Sequence, residues 1–150
     1  MSLLNETTPV LENHEVGPRL HLMVLEAPEI AKTIRPGQFV HMRIPGMEGH
    51  ILRRPFSVYA ADPARGTIEI LYQVVGFGSD RMTKLSPGDE VAPELIGPVG
   101  ASWHVPEGAK RALLVGGGVG AAPLFMLFEQ LVRGGVDVTV VLGAQTEAAL

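Results

Sequence analysis

Residues 113–124 read LLVGGGVGAAPL: an apolar run enters three consecutive glycines, passes a fourth at Gly120, and leaves through small residues. The pattern predicts a buried strand, a turn that something approaches too closely for side chains, and a helix. Downstream, GAAPLFMLFEQLVRGG (120–135) sets Leu124, Leu127, Phe128 and Leu131 on one helical face and stops at Gly134-Gly135. VDVTVVLGA (136–144) is a second continuous apolar strand. Strand, helix, strand makes a βαβ unit and implies a parallel sheet. Two strands and one helix cannot cover both faces of such a sheet. The second domain is therefore expected to be cut short in this chain or completed by another chain, and its bare edge could pair with a second copy as a homodimer.

Gly116, Gly118 and Ala121 fit G-x-G-x-x-G/A between a strand and a helix. In that setting the backbone approaches a pyrophosphate, and the helix start offers N–H donors. Glycines required only for tight strand–helix packing would look the same. A dinucleotide fingerprint also needs an acid at the end of the second strand, on the ribose hydroxyls. Here that strand ends VVLGAQTEA, and its acid, Asp137, stands at the wrong end. Either another ribose contact is used or the dinucleotide fold is of a different type.

The preceding region has another grammar. RLHLMVLEAP (19–28) alternates Leu20, Leu22 and Val24 against Arg19, His21 and Met23. GQFVHMRIPG (37–46), RPFSVYAA (54–61) and TIEILYQVV (67–75) are further β-rich runs, with DPARG (62–66) as a turn. GDEVAPELIGPVG (88–100) gives a short strand with a Gly-Pro exit, and SDRMTKLSPG (79–88) a single short helix. Short strands with regular turns predict a small antiparallel barrel. The expected architecture is an all-β antiparallel barrel over residues 1–105, followed by the start of an α/β domain with a parallel sheet over 106–150.

Composition narrows the function. A net charge of −4 and no basic cluster beyond Arg53-Arg54 argue against nucleic acid or a membrane surface as partner. No apolar run is long enough to span a bilayer, and no secretory signal is visible, so a cytoplasmic location is expected. The absence of cysteine removes disulfides, thiolate catalysis and cysteine-ligated metal centres from this chain. Five scattered histidines show no metal-site spacing, and no metal is expected.

Two stretches of the barrel carry chemistry. Arg54 precedes Pro55, which holds the backbone extended; Arg54, Phe56 and Val58 then alternate with Pro55, Ser57 and Tyr59. A guanidinium suited to a diphosphate, an aromatic ring and a hydroxyl fall close together. In LYQVVGFGSDRM (71–82), Gly76 and Gly78 precede Ser79 at a helix start, a second phosphate cradle or a helix capped by Ser79.

RRPFSV (53–58), LYQVVGFGS (71–79), GPVG (97–100) and GGGVGAAPL (116–124), in this order, resemble the ferredoxin–NADP reductase superfamily, a flavin-binding barrel followed by a nicotinamide-binding domain. Within it the arrangement is most similar to the electron-transfer subunits of B-type dihydroorotate dehydrogenases. The resemblance implies that Arg54, Pro55, Phe56 and Ser57 hold FAD, with Arg54 on the pyrophosphate and Phe56-Ser57 near the isoalloxazine. It implies that Leu71, Tyr72 and Gln73 line the flavin site, that Gly78 and Ser79 bind FAD phosphate, and that Gly116, Gly117, Gly118 and Gly120 face NAD(H). Gln73 stands where related sequences often carry arginine, and Ser79 replaces threonine. Such subunits continue into four cysteines that hold a 2Fe–2S cluster, which is expected only in a longer natural chain.

The implied activity is that of a flavin-dependent oxidoreductase component in pyrimidine biosynthesis. Electrons from a dihydroorotate dehydrogenase catalytic subunit would reach FAD and then NAD⁺, and the fragment alone is not expected to be active. No side chain is assigned as catalytic, since the protein's task is placement. Gly143-Ala144-Gln145-Thr146 holds no arginine for a 2′-phosphate, which leans to NADH. Two other readings stay open: a reductase component of an oxygenase, sulfide dehydrogenase or hydrogenase, and a flavin-free interaction module.

Overall fold

Turn residues punctuate the first hundred positions, and the chain reverses at most of them. The computed structural model describes residues 3–47, 49–50 and 52–147, so the outermost ends of both expected domains lie outside the described residues. Before residue 105 the described residues form strands β1 (Leu4–Thr7), β2 (Val10–Gly17), β3 (Leu20–Glu26), β4 (Phe39–Arg43), β5 (Arg54–Ser57), β6 (Ala60–Asp62), β7 (Thr67–Gln73) and β8 (Glu94–Val99). They make two antiparallel sheets, ordered β1-β8-β4-β5 and β2-β3-β7-β6. Met23, Leu25, Met42, Ile68, Ile70 and Leu95 fill the space between them with no exposed surface. The antiparallel barrel expected from the turn spacing is present.

Local chemistry explains the corners. In DPARG the Asp62 carboxylate accepts from the N–H groups of Ala64 and Arg65, at 2.9 and 3.0 Å, and Gly66 takes the left-handed φ of +68° that closes the turn. RPFSVYAA is not one strand. It crosses from one sheet to the other at Val58 and Tyr59, because Val58 is drawn into the core while the Tyr59 N–H pairs with the Glu69 carbonyl at 2.8 Å. Gly97-Pro98 lies within β8 rather than at its exit; a Cβ on Gly97 would sit 2.8 Å from Val40 Cγ1, so the strands approach too closely there for a side chain.

The alternation along β3 leaves its inner face to be decided by packing. Met23 and Leu25 enter the core opposite Ile70 and Ile68 of β7. Leu20 and Leu22 take the other face, opposite Gln73 and Leu71. Both faces of the strand are apolar, so alternation alone does not say which is inner.

A short helix, α1 (Pro28–Thr33), was not expected. Its signals were present: proline in the first turn, Glu29 beside it and Lys32 in the last turn. The Glu6 carboxylate reaches across from β1 to accept the N–H groups of Glu29 and Ile30, both at 3.0 Å. The second helix, α2 (Phe77–Met82), begins two residues before the expected Ser79 and ends well before Gly88. Asn13 on β2 anchors its far end. The amide donates to the carbonyls of Met82 and Leu85, both at 2.8 Å, and its oxygen accepts the Tyr72 hydroxyl at 2.9 Å.

After residue 105 come β9 (Arg111–Gly117), a 3₁₀ turn at Gly118–Ala121, α3 (Leu124–Arg133) and β10 (Asp137–Gly143). β9 and β10 are parallel, with Val115 opposite Val141. Gly135, at φ +73°, follows the helix as the stop signal requires. Of the expected helix face only Leu131 is fully buried; Leu124, Leu127 and Phe128 are half-buried. Met126 packs against the barrel core instead. Among the described residues, no helix is long and apolar enough to cross a membrane.

Candidate functional site

Arg53 and Arg54 lie at the start of β5 and Arg81 on α2, and their partners separate them. Arg53 donates to the Glu94 carbonyl and pairs with its carboxylate, both at 2.9 Å. Arg81 donates through Nε to the Pro45 carbonyl at 3.0 Å and lies over Gly46, where a Cβ would meet the guanidinium at 2.6 Å. Both are spent on holding loops. Arg54 donates Nη1 to the Leu52 carbonyl at 2.7 Å, and among the described residues no carboxylate pairs with it. Its Nε sits 3.8 Å from where a Gly78 Cβ would be. The structure therefore brings Arg54 and Gly78 together from stretches more than twenty residues apart.

Ser79 does not cap the helix as its first residue. It is the third helical position, and Gly76 is the cap. Its Oγ accepts from the N–H groups of Val75 and Gly76, at 2.9 and 3.2 Å, and donates to the Gly76 carbonyl at 3.0 Å. The hydroxyl is occupied in shaping the turn. What the helix start offers outward is its first-turn N–H groups, which have no acceptor within the helix.

Along β5, Arg54 and Phe56 are half-buried while Pro55 and Ser57 are exposed. The Phe56 ring meets Tyr72 edge-on at 6.4 Å. Tyr72 itself is 2% exposed, and burial, only partly offset by its hydrogen bond with Asn13, pushes its hydroxyl up to about 12. The ring belongs to the core, so Tyr72 can offer a ligand its backbone but not its side chain. Its neighbours Leu71 and Gln73 point the other way.

That other face opens on a cleft of about 960 Å³, lined on the barrel side by Leu20, Tyr59, Leu71 and Gln73 and on the far side by Gly117, Gly118 and Gly120. Among the described residues, no charged side chain lines it. Backbone amides, two glutamine side chains and the Tyr59 hydroxyl supply its polar groups; the rest is apolar, as suits a flat ring.

The glycines divide the work. A Cβ on Gly116 would meet Ala121 Cβ at 2.6 Å and Leu124 Cδ1 at 2.8 Å, so this one exists for packing. Gly118 has φ +53°. Gly120 would meet nothing within 4 Å, and Gly117 only a carbonyl at 3.9 Å, so both leave their backbone open toward the cleft. The expected site residues thus fall in two clusters, Arg54 with Gly78 and Leu71-Gln73 with the glycine turn. The sequence missed Tyr59 and Phe125, which also line the cleft; their aromatic character was the only available signal.

Residues 7–103 match the family model described as the oxidoreductase FAD-binding domain. The chain belongs to that family. Among curated members, the electron transfer subunit of dihydroorotate dehydrogenase B (NAD(+)) from Desulforamulus reducens is 36% identical over 141 residues, covering 94% of this chain and 53% of the relative. The subunit of the same name from Geobacillus thermodenitrificans is 37% identical over 148 residues, covering 97% and 56%. The chain thus spans about half the length of the curated relatives it matches. A solved NADH-dependent reduced ferredoxin–NADP oxidoreductase, studied for flavin-based electron bifurcation, superposes with a TM-score of 0.84 at 29% identity, over 97% of this chain and 51% of that one. An FAD-binding oxidoreductase domain needs a diphosphate contact and a wall for a flat ring. The Arg54–Gly78 corner has the chemistry of the first and the apolar cleft that of the second.

Proposed function

We propose that this chain is the FAD-binding part of a dihydroorotate dehydrogenase electron-transfer subunit, which takes electrons from a catalytic subunit and delivers them to NAD⁺ in pyrimidine biosynthesis. The observation that carries this reading is Arg54: a cation with no carboxylate partner among the described residues, held against Gly78 at the start of a helix. Arg54 and the first-turn N–H groups around Gly78 and Ser79 hold the FAD diphosphate, by charge-assisted hydrogen bonds. Phe56 and Ser57 approach the isoalloxazine from the barrel, with Pro55 keeping that strand extended. Leu71, Gln73 and the backbone of Tyr72 form the neighbouring wall. Gly117 and Gly120 admit a nicotinamide nucleotide along their backbone, Gly118 shapes the turn, and Gly116 keeps strand and turn in contact.

Bound FAD supplies the redox chemistry, exchanging electrons between the partner and NAD(H). The chain's own residues place the reacting rings and exclude water with apolar walls. No general acid or base is assigned. The FAD domain is taken as 1–105 and the first βαβ unit of the nicotinamide domain as 106–150. A 2Fe–2S cluster belongs to the longer natural protein, and the location is cytoplasmic.

Titration of the purified chain with FAD, followed by flavin fluorescence, tests this. The wild-type chain should bind. Arg54→Ala should weaken binding about 10- to 100-fold, the scale of a lost charged hydrogen bond, with an unchanged circular dichroism spectrum. A well-folded wild-type chain that leaves flavin fluorescence unchanged at high concentration would sink the proposal.

A further inference from the structure

The barrel and the βαβ unit meet along a seam with an unusual composition. Among the described residues, the hydrogen bonds of Tyr59, Tyr72 and Arg81 and the ion pairs of Glu94 and Glu129 each stay on one side of it. Aromatic and apolar packing joins the two. Tyr59, at the crossing from β5 to β6, stacks its ring on Phe125, the second residue of α3, with centroids 4.6 Å apart and planes 17° from parallel. The next residue, Met126, packs against the barrel core. The Tyr59 backbone is itself fixed, its N–H donating to the Glu69 carbonyl at 2.8 Å.

Two features make this stack more than surface packing. Both rings line the cleft, and α3 follows the glycine turn directly, so any tilt of Phe125 carries Gly117 to Gly120 with it. The stack also works against charge. Burial raises the Tyr59 hydroxyl above its ordinary value, and the carboxylates of Glu69 and Glu129, one from each side of the seam, raise it further. Glu69 and Glu129 repel across the seam, a repulsion tempered by Arg65 and by the Arg133–Glu129 ion pair at 3.1 Å, and the stacked rings oppose what remains.

We propose that Tyr59 is a positioning residue: stacked on Phe125, it sets how the glycine turn faces the barrel wall, and so the width of the cleft. The consequence for electron transfer rests on the flavin reading above; the mechanical role does not.

Amide hydrogen exchange on the 150-residue chain tests it, with FAD affinity measured on the same samples. In Tyr59→Ala the amides of α3 should exchange about two- to tenfold faster, the scale of a lost aromatic pair, while those of β3 and β7 keep their rates. Tyr59→Phe keeps the ring and should restore wild-type exchange. FAD affinity should fall in Tyr59→Ala, which takes a ring from the cleft wall and loosens the glycine turn, and be better kept in Tyr59→Phe, which leaves the ring in place. If Tyr59→Ala disturbs β3 and β7, Phe125→Ala removes the stack from the other side and should speed α3 alike. Unchanged α3 exchange on removal of either ring overturns the proposal. Failure of the wild-type chain to bind FAD counts against the flavin reading only, because the exchange comparison stands without it.

Discussion

In the barrel, Met23, Leu25, Met42, Ile68, Ile70 and Leu95 have no exposed surface. In the βαβ unit, the buried apolar residues among those described are Leu114, Ala122 and Leu131, while Leu113 and Val115 stand 63% and 65% exposed on the sheet face away from Leu114. The strands of both regions are rich in Val, Leu and Ile. What differs is the number of layers. Two sheets facing each other close a core by themselves, whereas two strands and one helix close half of one. The barrel is thus a self-sufficient platform, and the βαβ unit draws part of its order from leaning on it.

The sharpest way to break this contrast is by truncation in each region. Met23→Ala should cost about 2–5 kcal/mol, because it opens a cavity in a closed core, whereas Leu113→Ala should change stability by less than about 0.5 kcal/mol. Urea denaturation of both variants measures the difference; equal losses would mean that the second unit has a core of its own. A smaller effect separates the glycines. Gly116→Ala must displace Ala121 and should cost about 1–3 kcal/mol, confined to the βαβ unit. Gly120→Ala meets nothing and should leave the fold unchanged, with any loss confined to nicotinamide nucleotide binding, read by titration with NADH.

The smallest effect lies at the seam between the regions. Burial raises the Glu69 carboxyl above its ordinary 4.5; Arg65 opposes this, while Glu12 and Glu129 add to it. An acid whose value rises on folding favours the folded state when protonated. That contribution is complete below the unfolded value and is lost as pH rises through the folded one. Glu69→Gln should therefore raise Tm at pH 7, by about 2 °C or less, and the gap should close below pH 4.5. A gap that widens on acidification would reverse the sign of the coupling.

Much of the architecture was legible from local chemistry. Turn residues such as Asp62 and Gly66 act within a few positions of themselves, and they mark the strands reliably. The βαβ unit was legible because its strands are continuous apolar runs and its helix ends at two glycines. The misses share a cause: each depends on contacts remote in sequence. The inner face of β3 is decided by β7. Helix α1 is held by Glu6 from another strand. The break after Ser57 comes from the pull of the core on Val58 and the pairing of Tyr59 with Glu69.

The site divides in the same way. The choice of Arg54 followed from its place before Pro55, and the structure supplies the reason it differs from Arg53, which Glu94 holds from 41 residues away. The glycine turn was legible as a turn, but only the fold separates Gly116, which serves packing, from Gly120, which faces open space. The ring of Tyr72 entered the core because Asn13 was waiting for its hydroxyl.

Asn13 has a further consequence. A six-residue helix is too short to persist alone in water, so α2 would ordinarily flicker between ordered and disordered states. By tying the last carbonyl of that helix, and the Leu85 carbonyl just beyond it, to β2 and so to a buried tyrosine, one amide holds its opposite end before any ligand arrives. Recognition at the Arg54–Gly78 corner then meets a preorganised surface, and association need not be opposed by the entropy of building it.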